Sequence, residues 1–340
     1  MPAPLVTPRG GVAAALTVVY IAWGSTFVAM RVAVHSLPPL TMSGVRFLAA
    51  GLLLYGWCRW QRHRRPEAGW RAPTRREWRA SAILGIALPA AGTGGAAWAE
   101  QTIPAGTAAL LLASVPVWMI IASRIADAER ITIHAAGGLV LGLAGVGVLV
   151  NPQAGGAPDL LASAVALGGA LLWGCGSVYA KRAPRPAQPL LASGMEMICA
   201  GVTLCLIGAA SGEPGRISAA SLVSASALAL GYLIVFGSVL GYSTYEWLLH
   251  HASSQLAGTY AFVCPLVAVI LGWWLLGEQI SGHTLLAAAA IAVGVALIML
   301  HPRKPEPGRD ETGDQPRKPP AAQVSASADA RPTKHPVAAK

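Results

Sequence analysis

The sequence predicts an all-α integral membrane protein of ten transmembrane helices, arranged as two inverted five-helix repeats with both termini in the cytoplasm. Three observations carry this expectation. Of 340 residues, 54% are hydrophobic and only 12% are charged, against about 25% charged in a typical soluble domain. The apolar residues fall into ten blocks, each near the ~20 residues that cross a bilayer as a helix. Lys and Arg concentrate in alternate connections between those blocks, as the positive-inside rule requires. The 38 Gly and 25 Pro follow no collagen-like period, which excludes a fibrous chain.

The first block, 11–34, is too long for a cleavable signal and is closely followed by further apolar blocks, so it is expected to remain as a helix. A connection without Lys or Arg, 35–39, leads to the second block, 40–58. Loop 59–79 then holds eight arginines: Arg59, Arg62, Arg64, Arg65, Arg71, Arg75, Arg76 and Arg79. It is assigned to the cytoplasm. The third block, 80–98, ends at loop 99–104, which has no Lys or Arg. The fourth, 105–124, ends beside Arg124 and Arg130. The fifth, 132–150, ends at loop 151–158, which has no Lys or Arg. The sixth, 159–180, runs into Lys181, Arg182 and Arg185, and the seventh, 189–210, into a loop whose one basic residue is Arg216. The eighth, 222–245, precedes a loop with His250 and His251 but no Lys or Arg. The ninth and tenth, 255–275 and 283–300, flank loop 276–282, again without Lys or Arg. Residues 301–340 are rich in Pro, Ala, Lys and Asp without an apolar period, and are expected to form a disordered cytoplasmic tail.

The net charge of +10 therefore reflects topology rather than a nucleic-acid surface, which would interleave basic with polar and aromatic residues. The five cysteines, Cys58, Cys175, Cys199, Cys205 and Cys264, lie in or beside apolar blocks without CxxC spacing. They are expected as small buried residues, not as a disulfide framework or a metal site.

The chain repeats itself. At an offset of 150, AWGSTFVAMRVA (22–33) falls on LWGCGSVYAKRA (172–183), so that Trp23-Gly24 meets Trp173-Gly174 and Arg31 meets Lys181. The same offset carries SGVRFLAAG (43–51) onto SGMEMICAG (193–201). Ser43, Gly44, Ala50 and Gly51 recur there as Ser193, Gly194, Ala200 and Gly201. At an offset of 149, Pro116 meets Pro265 and Glu129 meets Glu278. Blocks five and ten align as AGVGVLV (144–150) and VGVALIM (293–299). Each half has an odd number of spans, so the second enters the membrane with opposite polarity. Inverted repeats of this kind mark secondary transporters whose substrate site lies between the halves, near the midplane.

The stretch AWGSTFVAMRVAVHSLPPLTMSGVRFLAAGLLL (22–54) resembles the start of an EamA domain. The five-plus-five repeat, the Pro116 and Pro265 helices ending in DAER and LGEQ, and the SGMEMICAG segment fit the same pattern over 11–300. The chain is thus similar to the ten-helix EamA branch of the drug/metabolite transporter superfamily. The resemblance implies one EamA repeat over 11–151, a second over 158–300, and a location in a bacterial inner membrane. It implies alternating-access export, in some members import, of small metabolites such as amino acids or related compounds. The related small multidrug resistance proteins use a glutamate in their first helix for proton coupling. Spans one and six of this chain hold no acidic residue beyond Asp159 at the edge, so that mechanism does not carry over.

Ionisable groups inside a bilayer are functional candidates. Arg46 and Glu196 occupy repeat-related positions with opposite charge. Arg46 is expected to bind an anionic group. Glu196 is expected to bind an ammonium group or a coupling proton. Trp23, Ser25, Thr26, Trp98, Tyr179, Tyr242, Tyr245 and Tyr260 are candidate lining residues, because Trp and Tyr offer an apolar face with a donor. Trp98 also suits the interfacial belt. Arg31 and Lys181 suit snorkelling anchors, and Glu100 and Glu246, at span ends, suit either solvated carboxylates or gates. A kink or gate is expected at Pro116 and Pro265.

The expected partners are a small-molecule substrate, the lipid bilayer and, as candidate coupling ion, a proton. No nucleic acid, cofactor or metal is expected, and the oligomeric state is open. A membrane-embedded enzyme is the alternative, but it would need a clustered His, Ser or Asp constellation in the spans. A sensor would need a folded soluble domain. Neither pattern is present, and no P-loop motif occurs that would drive transport with ATP.

Overall fold

A computed structural model describes residues 9–64, 71–127, 133–150, 159–219, 225–251 and 259–300. Among them every element is helical. Seven helices are long and apolar enough to cross a membrane: Gly10–Val34, Pro39–Arg64, Arg75–Ala99, Ala105–Ala126, Leu160–Ala180, Pro189–Ala210 and Ala225–Tyr245. Three shorter apolar helices cover Ala136–Val148, Val263–Leu276 and Gly282–Leu297. Large apolar side chains point outward along these helices, among them Leu53, Ile270 and Trp274, the arrangement a lipid environment favours. The expected tail over 301–340 and both chain ends lie outside the described residues.

Helix α1 (Arg9–Val34) and helix α2 (Pro39–Arg64) form the first hairpin. α2 runs past the apolar block that ends at 58. Its arginines keep their charged heads in water while their stems continue the helix, and Arg64 lies over the Trp60 ring at 4.5 Å. Helix α3 (Arg75–Gly85) begins before its apolar block because a capping box starts it. Glu77 N donates to Thr74 Oγ1 at 3.3 Å, and Thr74 N donates to Glu77 Oε2 at 2.7 Å. The helix then widens into a π-helical stretch over Ile86–Gly94 and closes as α4 (Gly95–Ala99). Pro89 lies inside the stretch and has no N–H for the ordinary ladder.

The fourth spanning segment, Ala105–Ala126, is interrupted once and so comprises α5 (Ala105–Leu112) and α6 (Val115–Asp127). The break at Ala113 and Ser114 precedes Pro116, as expected for a helix-interrupting proline. Ser114 Oγ donates to Leu111 O at 2.6 Å and accepts from Trp118 Nε1 at 3.1 Å, which keeps the break satisfied. After α7 (Ile133–Val150), helix α8 (Leu160–Ala180) starts on Asp159, whose Oδ1 accepts from Leu161 N at 2.8 Å. Helix α9 (Pro189–Ala210) ends in a turn with Gly212 at φ 70°, followed by a 3₁₀ turn over Glu213–Arg216. Helix α10 (Ala225–Tyr232), a second π-helical stretch (Leu233–Leu240) and α11 (Gly241–His251) form one continuous rod. Helix α12 (Tyr260–Leu276) carries Pro265 inside a continuous helix, unlike the break before Pro116. It ends on Gly277 at φ 67°, a left-handed cap that other residues adopt only with strain. Helix α13 (Gly282–Leu300) completes the chain's described part.

The two most extensive contacts between the first half of the chain and the second are α2 with α9, and α7 with α13. The α2–α9 pair meets backbone to backbone through the four glycines that recur in the sequence. A Cβ at Gly51 would lie 2.7 Å from Ile198 N and 2.8 Å from Gly194 O. One at Gly201 would lie 2.8 Å from Gly44 O, and one at Gly44 2.6 Å from Cys205 Sγ. Such close approach is what small residues allow between membrane helices. In the second pair a Cβ at Gly294 would lie 2.8 Å from Gly142 N. Other contacts come in matched pairs. Gly24 packs against Val267 as Gly174 packs against Trp118, and Gly241 abuts Trp23 as Gly92 abuts Trp173.

One end of the bundle is tied by carboxylates. Glu213 Oε2 accepts from Thr41 N at 2.6 Å and from Thr41 Oγ1 at 2.8 Å, at the start of α2. Glu278 Oε1 accepts from Ala105 N at 2.8 Å, at the start of α5. Both place negative charge at the positive end of a helix dipole, and both cross from the second half to the first. The opposite end carries the ion pairs Arg71–Glu77 at 2.7 Å and Arg185–Glu196 at 2.9 Å among the described residues.

The glycine contact yields a paired prediction. Gly51→Ala forces α2 and α9 apart and destabilises the protein by about 1–3 kcal/mol, the usual cost of overpacking. Gly56→Ala, where nothing lies within 4 Å, is neutral or stabilising. Apparent unfolding temperatures of the two variants in detergent, beside the parent, check the difference.

Candidate functional site

Polar and aromatic residues from both halves of the chain meet around Arg46. Helix α2 carries Arg46, which is 3% exposed. Its guanidinium carbon lies 4.9 Å from the centre of the Phe47 ring. Its Nε donates to Ser238 Oγ at 3.0 Å, while Nη1 has no hydrogen-bond partner. Ser238 sits in the second π-helical stretch beside Gly237. A Cβ on Gly237 would lie 3.1 Å from Arg46 Nη2 and 2.6 Å from Thr26 Cγ2. That glycine therefore makes room for both side chains. Widened turns of this kind recur at functional sites because they turn backbone groups out of the helical ladder. Here Trp23 Nε1 donates to Gly237 O at 3.1 Å.

Trp23 is also the hub of an aromatic cluster. Its ring centre lies 5.4 Å from Tyr242, 5.0 Å from Tyr245 and 4.9 Å from Tyr260. Tyr245 and Tyr260 meet edge to face at 5.4 Å. Such contacts add about 0.5–1.5 kcal/mol per pair beyond burial. Thr26 donates back to the Trp23 carbonyl. Ser25 joins Tyr232 across the two halves through a 2.6 Å hydroxyl contact. Tyr20 and Thr259 meet through their hydroxyls a turn away.

Glu100 lies in the turn directly after the span Arg75–Ala99. It is fully buried, and neither carboxylate oxygen has a hydrogen-bond partner. Its backbone carbonyl instead accepts from the Arg31 guanidinium. Burial pushes the Glu100 carboxyl well above the usual carboxylate range. Arg31 pulls it down, Glu278 pushes it further up and Arg46 pulls it down again.

The sequence candidates divide by position. Trp23, Thr26, Arg46, Tyr242 and Tyr260 stand together, while Ser25 turns to Tyr232. Trp98 packs at the margin of an apolar cluster that includes Ala99, Ile103 and Leu110. Tyr179 is 36% exposed in the last turn of α8. Glu196 Oε1 accepts from Arg185 Nη2 at 2.9 Å, in a setting separate from the described neighbours of Arg46. The side chain of Glu246 lies outside the described residues. Sequence reasoning did not single out Ser238, Gly237 or Tyr232. Their signal is the small pair Gly237-Ser238 in an otherwise bulky apolar run, one turn before Tyr242. At the other end of α1 and α11 a shallow groove of about 360 Å³ is lined by Gly11, Ala15, Ser243, Thr244 and Trp247. Among the described residues no group of three or more His, Cys, Asp or Glu stands close enough to hold a metal ion.

Comparison with known proteins bears on what this arrangement does. The EamA-like transporter family matches residues 10–151 and again 160–300. The chain is 37% identical over 287 residues to the uncharacterised inner membrane transporter YedA of Escherichia coli K12, covering 84% of this chain and 90% of that protein. It is 26% identical over 289 residues to a "probable amino-acid metabolite efflux pump" of Salmonella typhimurium, covering 82% and 91%. A crystal structure of another protein superposes with a TM-score of 0.57 at 20% identity, over 86% of this chain and 97% of that one. At that identity the likeness speaks for the fold alone.

Ser238→Ala removes one hydrogen bond from the buried Arg46 guanidinium. Hydrogen bonds to charged groups contribute about 1.5–3 kcal/mol, and the variant loses stability by that order. Ser238→Thr, which keeps the hydroxyl, loses less. Chemical unfolding of both variants in detergent, followed by tryptophan fluorescence, checks the ranking.

Proposed function

The chain belongs to the EamA-like transporter family, and from that premise we propose that it is a secondary transporter that exports small metabolites across a bacterial inner membrane by alternating access. The named inner membrane relative and the named efflux relative support the location and the direction. Amino acids or related compounds are the substrate class that the second name favours.

The observation that carries the proposal is the composition of the site. Trp23, Thr26 and Arg46 come from the first half of the chain, and Ser238, Tyr242, Tyr245 and Tyr260 from the second. A site built across the two halves is remade whenever they move relative to one another. Substrate contact is assigned to Trp23, Thr26, Arg46, Tyr242 and Tyr260, with Ser25 acting through Tyr232. Arg46 offers an unpartnered Nη1 to an anionic group such as a carboxylate. The aromatic rings offer an apolar surface to the remainder of the solute. Glu196 and Tyr179 are assigned to the opposite end, where Arg185 already engages Glu196.

Ten spans in two inverted repeats remain the proposed architecture. The matched glycine contacts support it, because residue i of one half touching j of the other, with the equivalent of j touching the equivalent of i, is the mark of a two-fold relation. Gly24–Val267 with Gly174–Trp118 is one such set, and Gly241–Trp23 with Gly92–Trp173 is another. Positive-inside counting supports cytoplasmic termini. A proton is the proposed coupling ion.

Cells producing the parent protein, Arg46→Gln at equal membrane level, or no transporter provide the test. A small metabolite that accumulates in the medium only with the parent protein is the expected result, with a loss of at least tenfold for Arg46→Gln. Identical media from all three cultures would overturn export. Equal accumulation from parent and Arg46→Gln would remove Arg46 from the site.

A further inference from the structure

Glu100 is the one carboxylate among the described residues whose two oxygens are both buried and unpartnered. Every other buried carboxylate described is engaged. Glu77 sits in its capping box, Glu196 pairs with Arg185, and Glu213 caps α2. The charged groups that act on Glu100 are Arg31 from α1, Arg46 from α2 and Glu278 from the turn after α12. None of them satisfies it. Arg31 donates to the Glu100 backbone carbonyl rather than to the carboxylate. Arg46 donates to Ser238. Glu278 repels it and is held by the N–H groups of Ala105 and Gly106.

An ionised carboxylate cannot be left dry and unpaired without a large cost, and such a group takes up a proton instead. The same group recovers its charge when water reaches it. The end of the bundle that buries Glu100 is the end tied by the Glu213 and Glu278 contacts across the two halves. Opening that end is the event that would wet it.

We propose that Glu100 is the proton-binding site through which conformation is coupled to pH: closing the Glu100 end of the bundle takes one proton from water onto its carboxylate, and opening returns that proton to water. The proposal rests on the alternating-access reading above and adds the group that carries the ion. The sign follows from the linkage. Because the closed form holds the carboxyl protonated, low pH favours closure and rising pH favours opening. Between the values of the carboxyl in the two forms, the closed-to-open ratio changes by up to tenfold per pH unit.

The test needs no substrate. Spin labels at Gln101→Cys and Ser211→Cys, both exposed at this end and in opposite halves, report its opening by pulsed electron–electron distance measurement. The full chain is used in lipid nanodiscs, with the five native cysteines replaced by alanine, between pH 5 and pH 9. With Glu100 present, the short-distance population is expected to give way to a longer one as pH rises. Glu100→Gln, a permanently neutral mimic, is expected to hold the short distance at every pH. Glu100→Asp, which retains a titrating carboxyl, is expected to restore the pH dependence. A Glu100→Gln profile that matches the parent, a parent profile that is flat with pH, or a Glu100→Gln protein held in the long form each overturns the proposal. The metabolite comparison with Arg46→Gln fails independently. If no solute is exported while the distance still titrates through Glu100, export is wrong and the proton site stands.

Discussion

The close approach of α2 and α9 is the constraint on which the rest of the interior depends. Gly44 and Gly51 on one helix, and Gly194 and Gly201 on the other, let the backbones touch where any side chain would intervene. In a lipid environment, helix association draws on van der Waals contact and interhelical hydrogen bonds rather than on the hydrophobic effect. Surfaces that fit to within a methyl group are therefore worth more than bulky ones. This contact fixes α2 against the second half, and with it Arg46, which α2 delivers to Ser238 on the second π-helical stretch. The same contact brings Thr41 within reach of Glu213.

A protein in hydrocarbon must satisfy its polar groups internally, and this chain largely does. Helix starts are capped by Thr74, Asp159, Glu213 and Glu278, and the break before Pro116 is closed by Ser114. The buried side-chain atoms left without hydrogen-bond partners among the described residues are Ser43 Oγ, Arg46 Nη1, both oxygens of Glu100, and Ser163 Oγ. Arg46 lies beside an aromatic cluster drawn from both halves, and Glu100 at the end of the bundle where the halves are tied. Unmet hydrogen-bonding capacity at such places is what a solute or a proton would use. Elsewhere the same deficit would only cost stability.

Much of the helical layout was legible because hydropathy and chain length act locally. The repeat at 43–51 and 193–201 pointed to the glycines that meet between α2 and α9. Helix ends were less legible. Arginines extend α2 to Arg64, and the Thr74–Glu77 capping box starts α3 among charged residues that hydropathy alone assigns to a loop. The site was legible in part. A lone arginine in an apolar block marks itself, and so does Trp23 beside Gly24. The pairing of charges was not, because it is a long-range property. Repeat symmetry set Glu196 opposite Arg46, whereas Arg185, from a loop that was informative only as a topology signal, reaches Glu196 first. Glu100 gave the sequence signature of an interfacial carboxylate, and only packing reveals that it is dry. Pro116 and Pro265 match in the alignment yet differ in the fold, since one follows a break and the other sits inside a continuous helix.

The central claim is that the Trp23–Arg46 site faces each side of the membrane in turn. Thr26→Cys, in a background without native cysteines, puts a reactive thiol in the site. Membrane-impermeant methanethiosulfonate applied separately to right-side-out and inside-out vesicles measures its exposure from either side. Alternating access predicts modification from both sides, slowed by the transported solute. Modification from one side alone, however long the exposure, would contradict it.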